Sequence, residues 1–205
     1  QHNPYPTYMK RAKGCRIWDV DGNEYVDYVN NYGPLILGHN NPRVMEAIQR
    51  QFEDLWLGAP AEAEIELAEK VKEIFPNWER ILFCPTGAEA RMKAVRTYRA
   101  IGRKDKIAMF EDAFHGASDS LFFSEGIPED LLSKIVLMPF NDAETVEKLV
   151  KANRDDLAAV IVEPTLGNMG DEPAKPDFYR ALREMTEENE VPLIFDEIVA
   201  GLRIA

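Results

Sequence analysis

The sequence predicts a doubly wound α/β domain, a mostly parallel sheet with helices on both faces, preceded by an N-terminal segment that carries a β-hairpin. Three observations predict it. Short runs that are apolar throughout recur between residues 80 and 195, and strands buried on both faces read that way. Longer stretches with helical apolar spacing lie between those runs. Residues 15–29 behave differently, alternating apolar and polar on either side of Asp21-Gly22, a dipeptide that supplies the positive φ of a tight turn.

The elements follow in order. The hairpin spans CRIWDVDGNEYVDYV, residues 15–29. Helical spacing predicts a helix from Pro42 to about Trp56 and a second from Glu62 to Ile74, closed by Pro76, which cannot continue a helix. The strand candidates are Arg80–Cys84, Lys106–Phe110, Lys134–Met138, Leu157–Val162 and Val191–Phe195. The helices between them are Glu89–Ala100, Ala143–Asn153 and Pro176–Asn189. This divides the chain into an N-terminal segment, 1–55, and the first part of a large α/β domain, 56–205.

Composition narrows the function classes. With 205 residues, 45% hydrophobic and 29% charged, the chain is long enough to bury a sizeable core. A net charge of -12 argues against nucleic acid and anionic membrane as partners, because like charges repel. No stretch reaches the roughly 20 apolar residues of a membrane span, and Gln1-His2-Asn3-Pro4 has no signal-peptide pattern, so a cytoplasmic setting is expected. Cys15 and Cys84 make neither a disulfide framework nor a zinc site; both are expected to be buried thiols. The chain stops directly after an apolar strand-like run, with no polar tail, and is expected to be a fragment.

Four junctions carry the chemistry. In Cys84-Pro85-Thr86-Gly87-Ala88-Glu89-Ala90 a strand gives way to a helix through a glycine turn, where free backbone N–H groups can cradle a phosphate. The plainer reading is an ordinary turn with Thr86 as N-cap. Ala113-Phe114-His115-Gly116 follows the Lys106–Phe110 strand; Phe114 suits stacking on a planar ligand or plain core packing, and His115 alone is more often structural. Val162-Glu163-Pro164-Thr165-Leu166-Gly167-Asn168-Met169-Gly170 places Glu163 and Asn168 after another buried strand, where the alternative is a solvated loop. Phe195-Asp196-Glu197-Ile198 puts acids at a strand's C-terminal end, the ligand edge of such sheets. There Asp196 can hold a proton on a heterocyclic nitrogen, share a metal with Glu197, or cap the next segment. A phosphate cradle, an aromatic platform, an amide and an acid after successive strands are the parts a phosphorylated pyridine needs.

In this order, and preceded by RIWDVDGNEYVDYV and YGPLILGHNNP, these motifs resemble the class III aminotransferases, pyridoxal-phosphate-dependent transferases of fold type I, most closely the members like glutamate-1-semialdehyde aminomutase. The resemblance spans nearly the whole chain. It implies that Thr86, Gly87 and Ala88 hold the phosphate of pyridoxal 5'-phosphate, and that Phe114 and Ile198 sandwich its ring. Asp196 would pair with the ring nitrogen, Asn168 would bond the ring's 3-oxygen, and Glu163 would support the group from behind. Tyr32, Gly33 and Pro34 would line the substrate side. The Schiff-base lysine is expected beyond Ala205, so no catalytic lysine is assigned here; Lys175 is expected in a solvated loop, and no metal is expected.

Departures from the family pattern touch specificity. The stretch from Gly116 to Phe140-Asn141-Asp142 is short, where the aminomutases carry a long glycine-rich loop. Asn30-Asn31-Tyr32 replaces Gly-Ser-Trp, Ala61 and Ala63 replace Thr and Leu, Val199 replaces a Gln, and Arg91 is bulky for its place after TGAEA. The leading function is transfer of an amino group between an amine or amino acid and a keto acid or aldehyde, by a homodimer when complete. The alternatives are an aminomutase or amino-acid racemase on the same scaffold, and a non-catalytic phosphate-ligand-binding α/β module.

Overall fold

A computed structural model describes residues 6–54, 58–122 and 124–203. They form two compact units, one up to Ile81 and one from Leu82 onward.

In the first unit, β1 (Met9–Lys13), β2 (Arg16–Asp19) and β3 (Glu24–Val26) form an antiparallel sheet in that order. β2 and β3 are the predicted hairpin. Asp19 organises its turn, accepting the Asp21 and Asn23 backbone N–H groups, the Asn23 amide and the Tyr25 hydroxyl at 2.7–3.0 Å. The side-chain bonds from Asn23 and Tyr25 outweigh the effect of burial and hold the Asp19 carboxyl below its ordinary value. β1, MKRAK, carries no apolar alternation and was not predicted. It pairs with β2 across a turn at Gly14-Cys15 that leaves Cys15 exposed, so the expectation of a buried Cys15 is corrected. Two amphipathic helices follow, α1 (Pro42–Asp54) and α2 (Glu62–Ile74). The predicted end of the first, at Trp56, lies outside the described residues.

The second unit holds the parallel sheet. Its elements are α3 (Gly87–Gly102), β4 (Lys106–Phe110), α4 (Glu129–Leu132), β5 (Ile135–Met138), α5 (Ala143–Asn153), β6 (Leu157–Val162), a small hairpin of β7 (Thr165–Leu166) and β8 (Glu172–Pro173), α6 (Pro176–Glu188) and β9 (Leu193–Phe195). The sheet order is β5-β4-β6-β9, parallel throughout.

All six residues of β6 are buried because both faces of the sheet are covered. Ala108, Phe110, Val160 and Val162 pack with Val146 and Val150 of α5 and Phe178 and Leu182 of α6. Their neighbours Ile107, Met109, Ala159 and Ile161 pack on the other side with Val95 of α3. This is the period-2 alternation of a strand with both sets apolar. Phe110 anchors one layer, with edge contacts to Phe140 and Phe178 at 5.7 Å. Among the described residues, no helix is long and apolar enough to cross a membrane.

Arg80–Cys84 corrects a prediction. It is not a strand here, although its apolar run reads as one, because it has no ladder partner among the described residues; Leu82 is exposed. The strand order also places the C-terminal ends of β4, β6 and β9 side by side. The segments containing Phe114, Glu163 and Asp196 therefore leave the sheet at one edge, the side where open α/β sheets bind ligands.

Candidate active site

The site is built around the start of α3. Thr86 is extended, and its hydroxyl accepts the Glu89 backbone N–H at 3.2 Å, as an N-cap does. That leaves the amides of Gly87 and Ala88 without an acceptor among the described residues, and the first N–H groups of a helix have none within it. Free amides at a helix start suit an anion.

Two loops close on this helix start. A Cβ at Gly87 would lie 3.1–3.3 Å from the Ile198 side chain, so the glycine lets the segment after β9 come close. Gly116 has φ +86, and a Cβ there would lie 2.8 Å from the Ala88 Cβ and 2.9 Å from its Cα. Phe114 is partly exposed, meets Phe122 edge to face at 6.3 Å, and donates its backbone N–H to the Glu163 carboxylate at 3.0 Å. Burial raises the Glu163 carboxyl above its ordinary value, against the lowering effect of that hydrogen bond. The loop after β6 reaches the same place, since a Cβ at Gly167 would contact Val199 and the Glu163 carboxylate at 3.5–3.7 Å.

Asp196 lies at the centre, with its side chain only 1% exposed. Its Oδ2 accepts from Arg91 Nε and from His115 Nδ1, the latter at 2.6 Å. Its Oδ1 accepts from Arg91 Nη2 at 2.9 Å and from the Ile198 N–H at 3.2 Å. Burial by itself would raise the carboxyl, but the hydrogen bonds and charges of His115 and Arg91 prevail and hold it below the ordinary carboxylate value. Asp196 is thus an anion, and His115 donates to it through Nδ1. The opposite nitrogen, Nε2, is buried without a hydrogen-bond partner among the described residues.

The structure brings Thr86, Gly87, Ala88, Phe114, Glu163, Asp196 and Ile198 together through these contacts. Asn168 sits beside Gly167 in a single 3-10 turn, Gly167–Met169, and is exposed. Tyr32 and Gly33 belong to the first unit. There Asn30, Asn31, Tyr32 and Gly33 all have positive φ, and Tyr32 is 94% exposed. Lys175 is exposed at the start of α6. The sequence did not point to Arg91 as a partner of Asp196. It stands four residues after Gly87, hence on the same helix face, and that spacing was the available signal.

The family model of the class-III aminotransferases matches residues 1–204. The chain belongs to this family. A curated relative, the glutamate-1-semialdehyde 2,1-aminomutase of Ignicoccus hospitalis, is 44% identical over 98% of this chain and 51% of its own length. An omega-transaminase from Sphaerobacter thermophilus superposes with a TM-score of 0.92 at 37% identity, over 97% of this chain and 50% of that one. A structure described as a transaminase with PLP bound gives the same TM-score, 0.92, at 34% identity, again over 97% of this chain and 50% of that one. The chain spans about half the length of the relatives it matches. The class-III fold, a parallel sheet with helices on both faces, is the one the motifs implied.

Proposed function

We propose that this chain forms part of the cofactor-binding domain of a pyridoxal-phosphate-dependent aminotransferase, which moves an amino group between an amine or amino acid and a keto acid or aldehyde. The observation that carries this reading is a buried anion, Asp196, in the same cluster of strand-end loops as the unpaired amides of Gly87 and Ala88. The residues fit the cofactor's phosphate and ring. The two amides, at the positive end of α3, suit a phosphate dianion. Phe114 and Ile198, both partly exposed, offer apolar surfaces for the two faces of a planar ring. The 3-oxygen is assigned to Asn168, and Glu163 fixes the Phe114 backbone from behind. Tyr32 and Gly33 are assigned to the substrate side.

When bound, pyridoxal phosphate supplies an electron-accepting ring that stabilises negative charge next to the amino nitrogen. The chain's own residues bind and orient it: α3 anchors one end, Asp196 sets the electrostatics at the other, and His115 fixes the Asp196 carboxylate. The proton-moving lysine is assigned to sequence beyond Ala205, and the complete protein to a cytoplasmic homodimer. A second reading, amino transfer within one molecule, is favoured by the name of the Ignicoccus relative at 44% identity. The short stretch between Gly116 and Phe140 favours transfer between molecules.

The test uses the protein from the complete reading frame, with pyridoxal phosphate added, borohydride reduction and peptide mapping. One labelled lysine downstream of Ala205 is expected. No specific label would refute the reading and favour a non-catalytic phosphate-binding module. Isomerisation of one substrate with no amino acceptor consumed would mark a mutase; a keto product released in step with consumption of an amino acceptor would mark a transferase.

A further inference from the structure

In the first unit, the loop from Asp27 to His39 is closed at its base by its two end residues. Asp27 Oδ2 and His39 Nε2 lie 2.6 Å apart across 12 positions of sequence, and the two side chains are only 7% and 18% exposed. Asp27 Oδ1 accepts the backbone N–H groups of Val29 and Asn30 at 2.9 and 3.0 Å. The Asn30 N–H, then the His39 ring, hold the Asp27 carboxyl below its ordinary value. An ionised carboxylate only accepts, so His39 donates through Nε2. His39 is itself pinned, because its backbone exchanges two hydrogen bonds with Gly14 at 2.8 and 2.9 Å. The base of the loop is thereby tied to the turn between β1 and β2.

What this base supports is a strained turn. Asn30, Asn31 and Tyr32 have φ of +52, +54 and +60, followed by Gly33 at +104, and the Gly33 N–H closes the turn on the Asn30 carbonyl at 3.0 Å. Asparagine visits this region readily, whereas a tyrosine there is unfavourable. Tyr32 is almost wholly exposed, so its side chain buries too little to offset that cost. Strain of this kind persists only where the surroundings enforce it, and it gathers at functional sites. Compact loops of this length whose ends are held together are frequently functional as well.

We propose that Asp27 and His39 are positioning residues: their bond holds the loop in the left-handed conformation that presents Tyr32, and so sets how tightly the protein binds its amino donor. The inference rests on the assignment of Tyr32 to the substrate side above, and names what keeps that residue in place. Neither Asp27 nor His39 meets the reacting atoms; both act through Tyr32.

The test mixes the complete holoprotein with L-alanine, L-glutamate or 1-phenylethylamine and follows the cofactor's visible absorbance, which gives a half-saturating donor concentration and a limiting rate. For the donor that the wild type uses best, His39→Ala is expected to raise the half-saturating concentration about tenfold, the effect of losing a hydrogen bond to a charged group, with the limiting rate and cofactor affinity little changed. His39→Gln, whose amide can donate from near the Nε2 position, is expected to recover most of the loss. In a Tyr32→Ala background, His39→Ala should have no further effect, because the pair acts through Tyr32. Hydrogen exchange supplies a readout besides activity: the Val29, Asn30 and Gly33 amides should exchange about tenfold faster in His39→Ala, and those of β2 at the wild-type rate. If His39→Ala does not melt cooperatively, Asp27→Asn takes its place. It keeps an oxygen for the Val29 and Asn30 N–H groups, replaces a charge-assisted bond with a neutral one, and is expected to shift both readouts less, in the same direction. Unchanged donor saturation, unchanged exchange, or an equal shift with Tyr32 absent would overturn the inference and leave the proposed function standing. No reaction of the wild-type holoprotein with any of the three donors would overturn the transfer reading, and this inference with it.

Discussion

Replacing Gly116 with alanine tests whether the loop after β4 and the start of α3 are built as one unit. Two costs act at this glycine and can be separated. Its φ of +86 is unfavourable for any residue with a Cβ, which costs about 1 kcal/mol. The new methyl would also lie 2.8 Å from the Ala88 Cβ and 2.9 Å from its Cα. The latter is helix backbone, so relief requires α3 or the loop to move, an overpacking cost of about 1–3 kcal/mol. The expected total is about 2–4 kcal/mol. Gly126 supplies the control, because its φ is +89 and nothing lies within 4 Å of its Cβ direction; Gly126→Ala should cost only the first, backbone part. Urea unfolding of both variants of the complete protein reads the difference in midpoint. Because Ala88 carries one of the unpaired amides, Gly116→Ala should also weaken pyridoxal-phosphate binding in a fluorescence titration, and Gly126→Ala should not. Equal destabilisation by the two variants, with unchanged cofactor affinity, would refute the packing argument.

Thr86→Ala removes the side chain bonded to the Glu89 amide and should cost about 1 kcal/mol, seen as a lower urea midpoint; an unchanged midpoint would mean the cap contributes nothing. Glu163→Gln has a pH signature. Burial raises the folded carboxyl above its ordinary value of 4.5, so the folded state binds the proton more tightly, and the contribution present below that value is lost as pH rises through the folded pKa. The stability of Glu163→Gln relative to wild type should therefore be greater at pH 7 than at pH 4, by urea unfolding at each. A difference that is flat or falls with pH would contradict this.

Much of the fold can be read from the sequence because β6 and β4 are buried on both sides, and an uninterrupted run such as Leu157–Val162 has few other uses. The helices α2 and α5 follow in the same way from their apolar spacing, and both match their predicted spans. The errors share one physical origin: a strand exists only through its partner, and pairing is non-local. Arg80–Cys84 has strand composition and no partner among the described residues, whereas MKRAK has the wrong composition and gains one by sitting across a turn from β2. Cys15 was misjudged for the same reason, since nothing in the residue itself marks it as part of that turn.

The site shows the same division between what is local and what is not. Each motif was visible as a strand end or helix start, and the parallel order of β4, β6 and β9 then requires the motifs to converge. What no motif contained is the bond between residues 105 apart, Arg91 and Asp196. An arginine four residues into a helix ordinarily reads as solvated surface. Here the same helix face carries Gly87, which packs on Ile198, two residues beyond Asp196, so any side chain one turn below Gly87 is directed under the loop that Asp196 begins. The arginine supplies a cation to that carboxylate, so the electrostatics of the cluster depend on that one residue as much as on the four motifs.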